Sequence, residues 1–199
     1  MLLAHVTISL DGYMAGPGIS NELPMGVNGS RLHEWILDPT PADRQFIADS
    51  FATVGAVVLG RRTFDVGLDQ WNDTPYPAPS FVVTHRSHEP LHMTSASFTF
   101  VPDLAQAVTQ ARAAAGDKHV ILMGADLTQQ ALDAGLIDEF RLQLAPIMLG
   151  SGTRLFTGTA QHTFEPLGAQ QTPRVTHLRF RTTATTTPAP PPQHDTPRG

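Results

Sequence analysis

The chain has 199 residues, 41% of them hydrophobic and 16% charged, which is enough for one substantial core but short for two full domains. Its formal charge of −5 argues against broad attraction to nucleic acid or anionic lipid, so any basic site is expected to be local. The lack of cysteine excludes disulfides, thiolate metal sites and a cysteine nucleophile.

Residues 2–9 (LLAHVTIS) read as a strand that stops at Leu10-Asp11-Gly12, where Asp-Gly supplies turn chemistry. No cationic stretch with a continuous apolar run stands here, and no later run approaches membrane-spanning length, so a cytoplasmic protein is expected. The glycines and prolines from Gly16-Pro17-Gly18 to Gly29 predict a long loop, followed near Ser30 by a short helix with Leu32, Trp35 and Ile36. The next helix is marked by Thr40 as cap, Pro41 in its first turn and Asp43 at capping-box spacing. Ile47, Phe51 and Val54 share a face there, and Gly55 is expected to close it.

Ala56 to Gly60 is an unbroken apolar run, the pattern of a strand buried on both faces, and Ser80 to Thr84 and His119 to Met123 repeat it. A helix from Asp103 to Ala115 aligns Leu104, Val108 and Ala111 and ends at Gly116; another is expected from about Asp126 to Gly135. Phe140, Leu142 and Leu144 alternate with Arg141, Gln143 and Ala145, a half-exposed strand expected near an edge and suited to pairing in a homodimer. Thr176 to Arg181 is expected to return antiparallel. The pattern implies an α/β fold of about six to eight strands, a mixed sheet with helices on both faces and antiparallel strands toward the C-terminal edge. Residues 1–181 form the domain, and the Thr-, Ala- and Pro-rich residues 182–199 carry too few apolar side chains to offset the entropy of ordering, so a flexible tail is expected.

Chemistry concentrates at predicted strand ends. Gly60-Arg61-Arg62-Thr63 follows one buried strand and Thr84-His85-Arg86 another. Arginine forks beside free backbone N–H groups suit phosphate oxygens, although each cluster also reads as a solvated helix start. Met123-Gly124-Ala125-Asp126-Leu127-Thr128 is a strand-to-helix turn able to approach a pyrophosphate, or a plain junction in which Asp126 caps the helix. Three basic residues at two strand ends point to a polyanion such as the 2′-phosphate of NADPH. Neither G-x-G-x-x-G, a Walker lysine motif nor G-x-S-x-G occurs. His85, His88 and His92 do not complete a metal shell, because Pro90 interrupts them and no carboxylate set joins them.

SLDGYMAGP (9–17), VVLGRRTFD (57–65), VVTHR (82–86), GADLTQQAL (124–132), GLIDEFRL (135–142) and PIMLGSGTRLF (146–156) together resemble the dihydrofolate-reductase-like proteins. Within them the chain is similar to the reductase domain of the bacterial riboflavin-biosynthesis deaminase-reductase. The resemblance spans about residues 2–181 and implies the three-layer dihydrofolate-reductase-like fold and an NADPH-dependent reductase of a small heterocyclic (pteridine- or pyrimidine-like) or carbonyl substrate. It further implies that Gly60, Arg61, Arg62, Thr63, Thr84, His85 and Arg86 hold the adenosine phosphates and that 124–128 hold the pyrophosphate. The Asp11 loop and the turn with Leu149, Gly150 and Gly152 would border nicotinamide and substrate. Met123 departs from the two adjacent glycines usual in such proteins, and its thioether is expected beside the cofactor. The deaminase half is not expected, since its zinc signature needs cysteine. Asp11 is the first candidate for substrate contact and Glu34 the second; as an ordinary turn and a solvated helix face, both also have readings without chemistry. The alternative to an enzyme is a non-catalytic nucleotide-binding or ligand-sequestering protein.

Overall fold

The apolar runs become the centre of a nine-stranded sheet. The computed structural model describes residues 1–158 and 160–183. In chain order its elements are β1 (Leu2–Ser9), β2 (Tyr13–Ala15), a 3₁₀ turn (Gly29–His33), α1 (Glu34–Leu37), α2 (Pro41–Ala52), β3 (Val54–Gly60), α3 (Arg61–Trp71), β4 (Ser80–Val83), β5 (Leu91–His92), β6 (Ser97–Val101), α4 (Leu104–Ala115), β7 (His119–Met123), α5 (Ala125–Asp133), β8 (Glu139–Ala145), β9 (Thr153–Arg154), β10 (Phe164–Gln171) and β11 (Thr176–Thr182). The sheet order is β10-β11-β8-β1-β7-β3-β4-β6-β5, and β2 pairs with β9 in a separate ribbon. The pairings from β8 through β1, β7, β3 and β4 to β6 are parallel, while β11 and β10 at one edge and β5 at the other run antiparallel to their neighbours.

The central strands are apolar throughout because both faces are covered. On one face Ala56, Val58, Val120 and Leu122 meet Ala107, Val108 and Ala111 of α4 and Leu127 and Ala131 of α5. On the other, Leu3, Val57, Leu59 and Ile121 meet Phe64 of α3. Toward β11 this second face turns polar. Thr7, Gln143 and His177 lie side by side across β1, β8 and β11, all buried. Trp35 from α1 donates its indole N–H to Thr7 Oγ1 at 3.3 Å, and Phe46 from α2 stacks on the His177 ring at 3.5 Å.

Several expectations are corrected. The capping box at Thr40 and Asp43 is present, but α2 ends at Ala52. Gly55 belongs to β3, where a Cβ would stand 2.7 Å from the Ala115 carbonyl oxygen; the apolar spacing of Val54 is that of the strand it begins, not of the helix before it. Five strands were not foreseen, so the main sheet has nine strands rather than six to eight; β2, β5 and β9 have only two or three residues each. β6 is a short alternating run, and β10 is exposed at six of its eight residues and so lacks a hydrophobic pattern. β8 lies near the β10 edge, third in the sheet, but with β11 and β10 outside it none of its residues is exposed, so it is not the half-exposed strand expected. Thr182 closes β11, one residue beyond the expected domain boundary, and the tail from 184 lies outside the described residues. No described helix is long and apolar enough to cross a membrane.

Candidate active site

β3, β4 and β7 end in one row, with Gly60 beside Val83 and Leu59 beside Met123. The parallel sheet thereby brings the three phosphate-type clusters to one rim. α3 starts at Arg61 and α5 at Ala125, directly at the strand ends, and neither has a side-chain cap, whereas Thr40 caps α2 and Asp103 caps α4. The first-turn N–H groups of α3 and α5 are thus left for solvent or an anion. The two turns also touch: Gly124 has φ +99°, and a Cβ there would lie 2.8 Å from Thr63 Oγ1, so both the backbone angle and the approach of Thr63 require glycine. Leu127 is buried beneath Gly60, and the Thr128 hydroxyl is buried without a partner among the described residues.

The basic groups on this rim are not equivalent. Arg61 donates from Nε to Asp65 Oδ1 at 2.7 Å and from Nη1 to His88 Nε2 at 2.5 Å, with its guanidinium 5.8 Å from the Phe64 ring centroid. Arg62, His85 and Arg86 are exposed, and Arg62 and Arg86 make no ion pair among the described residues. Thr84 Oγ1 accepts the Arg86 backbone N–H at 3.2 Å, turning the chain outward at the end of β4. Asp126 is exposed in the first turn of α5. The Met123 side chain packs against the cluster containing Leu59, Phe64 and Ile121, so the strand end presents its backbone. Two uncapped helix starts, a glycine turn and two guanidinium groups without an ion pair among the described residues stand on one rim, a donor set suited to phosphate groups.

At the end of β1 the chain ties two loops together. Asp11 accepts from Ser9 Oγ at 2.5 Å, from the Leu149 N–H at 3.1 Å and from the Gly150 N–H at 2.7 Å. The Ser9 hydroxyl, helped by the two backbone N–H groups, holds the Asp11 carboxyl down at about 2. Tyr13 donates its hydroxyl to the Gly150 carbonyl at 3.3 Å. Arg154 lies 4.5 Å over the Tyr13 ring and donates to the Asp11 carbonyl and the Tyr13 hydroxyl. The structure therefore brings Asp11, Leu149 and Gly150 together, with Gly152 two residues on. It does not bring Glu34 to them; Glu34 is exposed and faces Arg174, 3.8 Å away. Ser9, Tyr13 and Arg154 were missed as site residues, although all three stand inside quoted motifs, Ser9 and Tyr13 in 9–17 and Arg154 in 146–156. Asp11→Asn is expected to loosen this clasp, because an amide cannot accept all three bonds. Limited proteolysis should then cut faster within 147–152, and an unchanged cleavage rate would show that the loops are held by something else.

Comparisons with known proteins agree with this fold. The family model of the RibD C-terminal domain matches residues 1–187. A structure described as a riboflavin biosynthesis protein of Shewanella sp. PV-4 is similar at 24% identity and a TM-score of 0.72, covering 92% of this chain and 98% of that one. Two crystal forms of Acinetobacter baumannii RibD are similar at 22% identity, with TM-scores of 0.61 and 0.63; each aligns over 92% of this chain, which spans 57% and 58% of those longer chains. No curated protein matches. With the family model covering nearly the whole chain and the fold shared with these structures, the chain belongs to the RibD C-terminal domain family and is reductase-like.

Proposed function

We propose that the chain is an NADPH-dependent reductase of a small heterocyclic substrate of pteridine or pyrimidine type, or of a carbonyl compound. The single observation that carries this reading is the common rim of β3, β4 and β7, where two uncapped helix starts meet the free guanidinium groups of Arg62 and Arg86. NADPH supplies a hydride when bound. Gly60 to Thr63 and Thr84 to Arg86 hold the adenosine phosphates, and Gly124 to Thr128 hold the pyrophosphate through backbone N–H groups. Asp11 and the Leu149–Gly152 turn border the nicotinamide and substrate. Asp11, ionised at neutral pH, has no proton to give; it orients the Leu149–Gly150 backbone. That engagement also favours a second reading, a nucleotide-binding or ligand-sequestering protein without turnover, in which the clasp is purely structural.

The test is a pair of dissociation constants, for NADPH and NADH, measured on Arg62→Ala and Arg86→Ala. Loss of a charge-assisted hydrogen bond is expected to weaken NADPH binding by roughly ten- to a hundredfold in at least one variant and to leave NADH nearly unchanged. Equal losses for both cofactors would place the arginines on the shared phosphates or in the fold. NADPH binding without oxidation against a panel of reducible heterocycles and carbonyls would favour the second reading.

A further inference from the structure

At the end of α5 away from the rim, the described residues leave a groove. A cavity of about 190 Å³ is lined by Leu132, Ile137, His162, Phe164 and Thr183 among others, and a second of about 200 Å³ adjoins it, sharing Leu132, His162 and Phe164 and reaching Phe156. Aromatic rings run along it. Phe156 and Phe164 stand 6.0 and 5.4 Å from the Phe140 ring, and Phe164 lies 6.4 Å from Phe180. Phe140 is buried, whereas Phe156 keeps 46% of its surface exposed. His162 is a polar group on the wall of both cavities, its Nε2 3.2 Å from Asp133 Oδ1.

The chain itself leads into this groove. The Thr182 hydroxyl donates to the Ile137 carbonyl, and Thr183 donates to the Thr163 carbonyl from its N–H at 3.3 Å and from its hydroxyl at 2.6 Å. Thr183, where the described residues end, is thereby fixed on the cavity wall, and residues 184–199 continue from there. This segment carries prolines at 188, 190, 191, 192 and 197, and the family match ends before them, at residue 187. Proline fixes φ and favours the extended polyproline II helix, so little chain entropy remains to be lost on docking. Grooves lined by aromatic rings accept such segments, and Pro188-Ala189-Pro190-Pro191 has the P-x-x-P spacing that sets two rings on one side. We propose that residues 188–192 dock in this groove of their own chain as a polyproline II segment, with proline rings against Phe156 and Phe164. So short a tether gives an effective concentration on the order of 1 mM, and a docking constant of about 0.1 mM for the free segment would then keep the groove roughly 90% filled.

The chain has no cysteine, so a nitroxide attached through Gln193→Cys reports on the segment in the full-length protein. Strong broadening of the His162, Thr163 and Phe164 amide resonances is expected, with those of α3, beside the far strands of the sheet, unaffected. A second spin-labelled chain combines Pro188→Ser, Pro190→Ser, Pro191→Ser and Pro192→Ser, which alters none of the described residues. It is expected to dock about tenfold more weakly or worse, which brings the groove to roughly half filled or less and reduces the broadening accordingly. Broadening that is equal in the two chains, or spread evenly over the first, overturns the proposal. A mixture of spin-labelled chain without isotope and isotope-labelled chain without nitroxide is the remaining arm. No broadening is expected there; broadening at His162 to Phe164 in the mixture would place a second copy's segment in the groove and overturn docking within one chain.

Discussion

Gly152→Ala is expected to lower stability by about 2–4 kcal/mol and the melting temperature by roughly 5–15 °C. A Cβ at this position would fall 2.0 Å from the Ala15 carbonyl oxygen and 2.9 Å from Gly16 Cα, at a backbone φ of +133°. Gly16 is itself closed in, since its own Cβ would lie 1.9 Å from the Val27 carbonyl oxygen. Main chain therefore stacks directly on main chain where the turn at 150–152, the end of β2 and the 26–27 turn meet, and no flexible side chain is available to give way. Gly150→Ala is the control: its φ of +74° imposes strain, but nothing lies within 4 Å of the added methyl, so a loss nearer 1 kcal/mol is expected. Equal melting temperatures for the two variants would show that the close approach at Gly152 does not constrain the fold.

Acid is expected to destabilise the protein well above the pH at which carboxylates titrate. Burial pushes His5, His33 and His177 from their ordinary value of 6.5 to about 4. Two further causes act on particular rings: Arg141 adds to the fall at His5, and the nearby Asp43 carboxylate partly opposes it at His177. Each ring is neutral in the fold but takes a proton in the unfolded chain once the pH falls below about 6.5. The unfolded state then binds more protons, so stability is highest above 6.5 and falls as the pH drops from 6.5 toward 4. For His177, 2% exposed and with neither ring nitrogen hydrogen-bonded among the described residues, the loss is roughly 2 kcal/mol at pH 5 and roughly 3 kcal/mol at pH 4. His177→Phe keeps an aromatic ring stacked on Phe46 and removes the proton-binding site. Denaturant unfolding followed from pH 8 to pH 5 should show a shallower decline in the variant, and parallel profiles would assign the acid sensitivity to other groups.

The legible parts of the fold were those written in a single period. The runs at 56–60, 80–84 and 119–123 announce strands buried on both faces, and Thr40-Pro41 with Asp43 announces a helix start. β10 was illegible because an exposed strand pairing on one side needs no alternation. The polar stripe of Thr7, Gln143 and His177 was illegible because it exists only across three strands in register, from segments more than 130 residues apart in the case of Thr7 and Gln143. The candidate site divides in the same way. The clusters at 60–63, 84–86 and 124–128 each have a local signal, and parallel pairing brings them together. The pairing of Asp11 with the Leu149 and Gly150 N–H groups, and of Arg61 with His88, depends on loop conformations that spacing does not encode.

The edge strand β10 bears on how copies of this chain meet. Pro166 offers no N–H, the register with β11 shifts between Pro166 and Gly168, and Gly168 has φ +157°. A second strand laid along this border would find an interrupted row of donors and a bend, so growth of the sheet from one molecule into the next is blocked there. The opposite border, β5, has two residues and gives an incoming strand almost no length to grip. Both rims, as the described residues form them, are thus poor templates for end-to-end growth of the sheet. Self-association through side chains across a face of the sheet is therefore expected to respond to substitutions there more than to changes in β10 or β5.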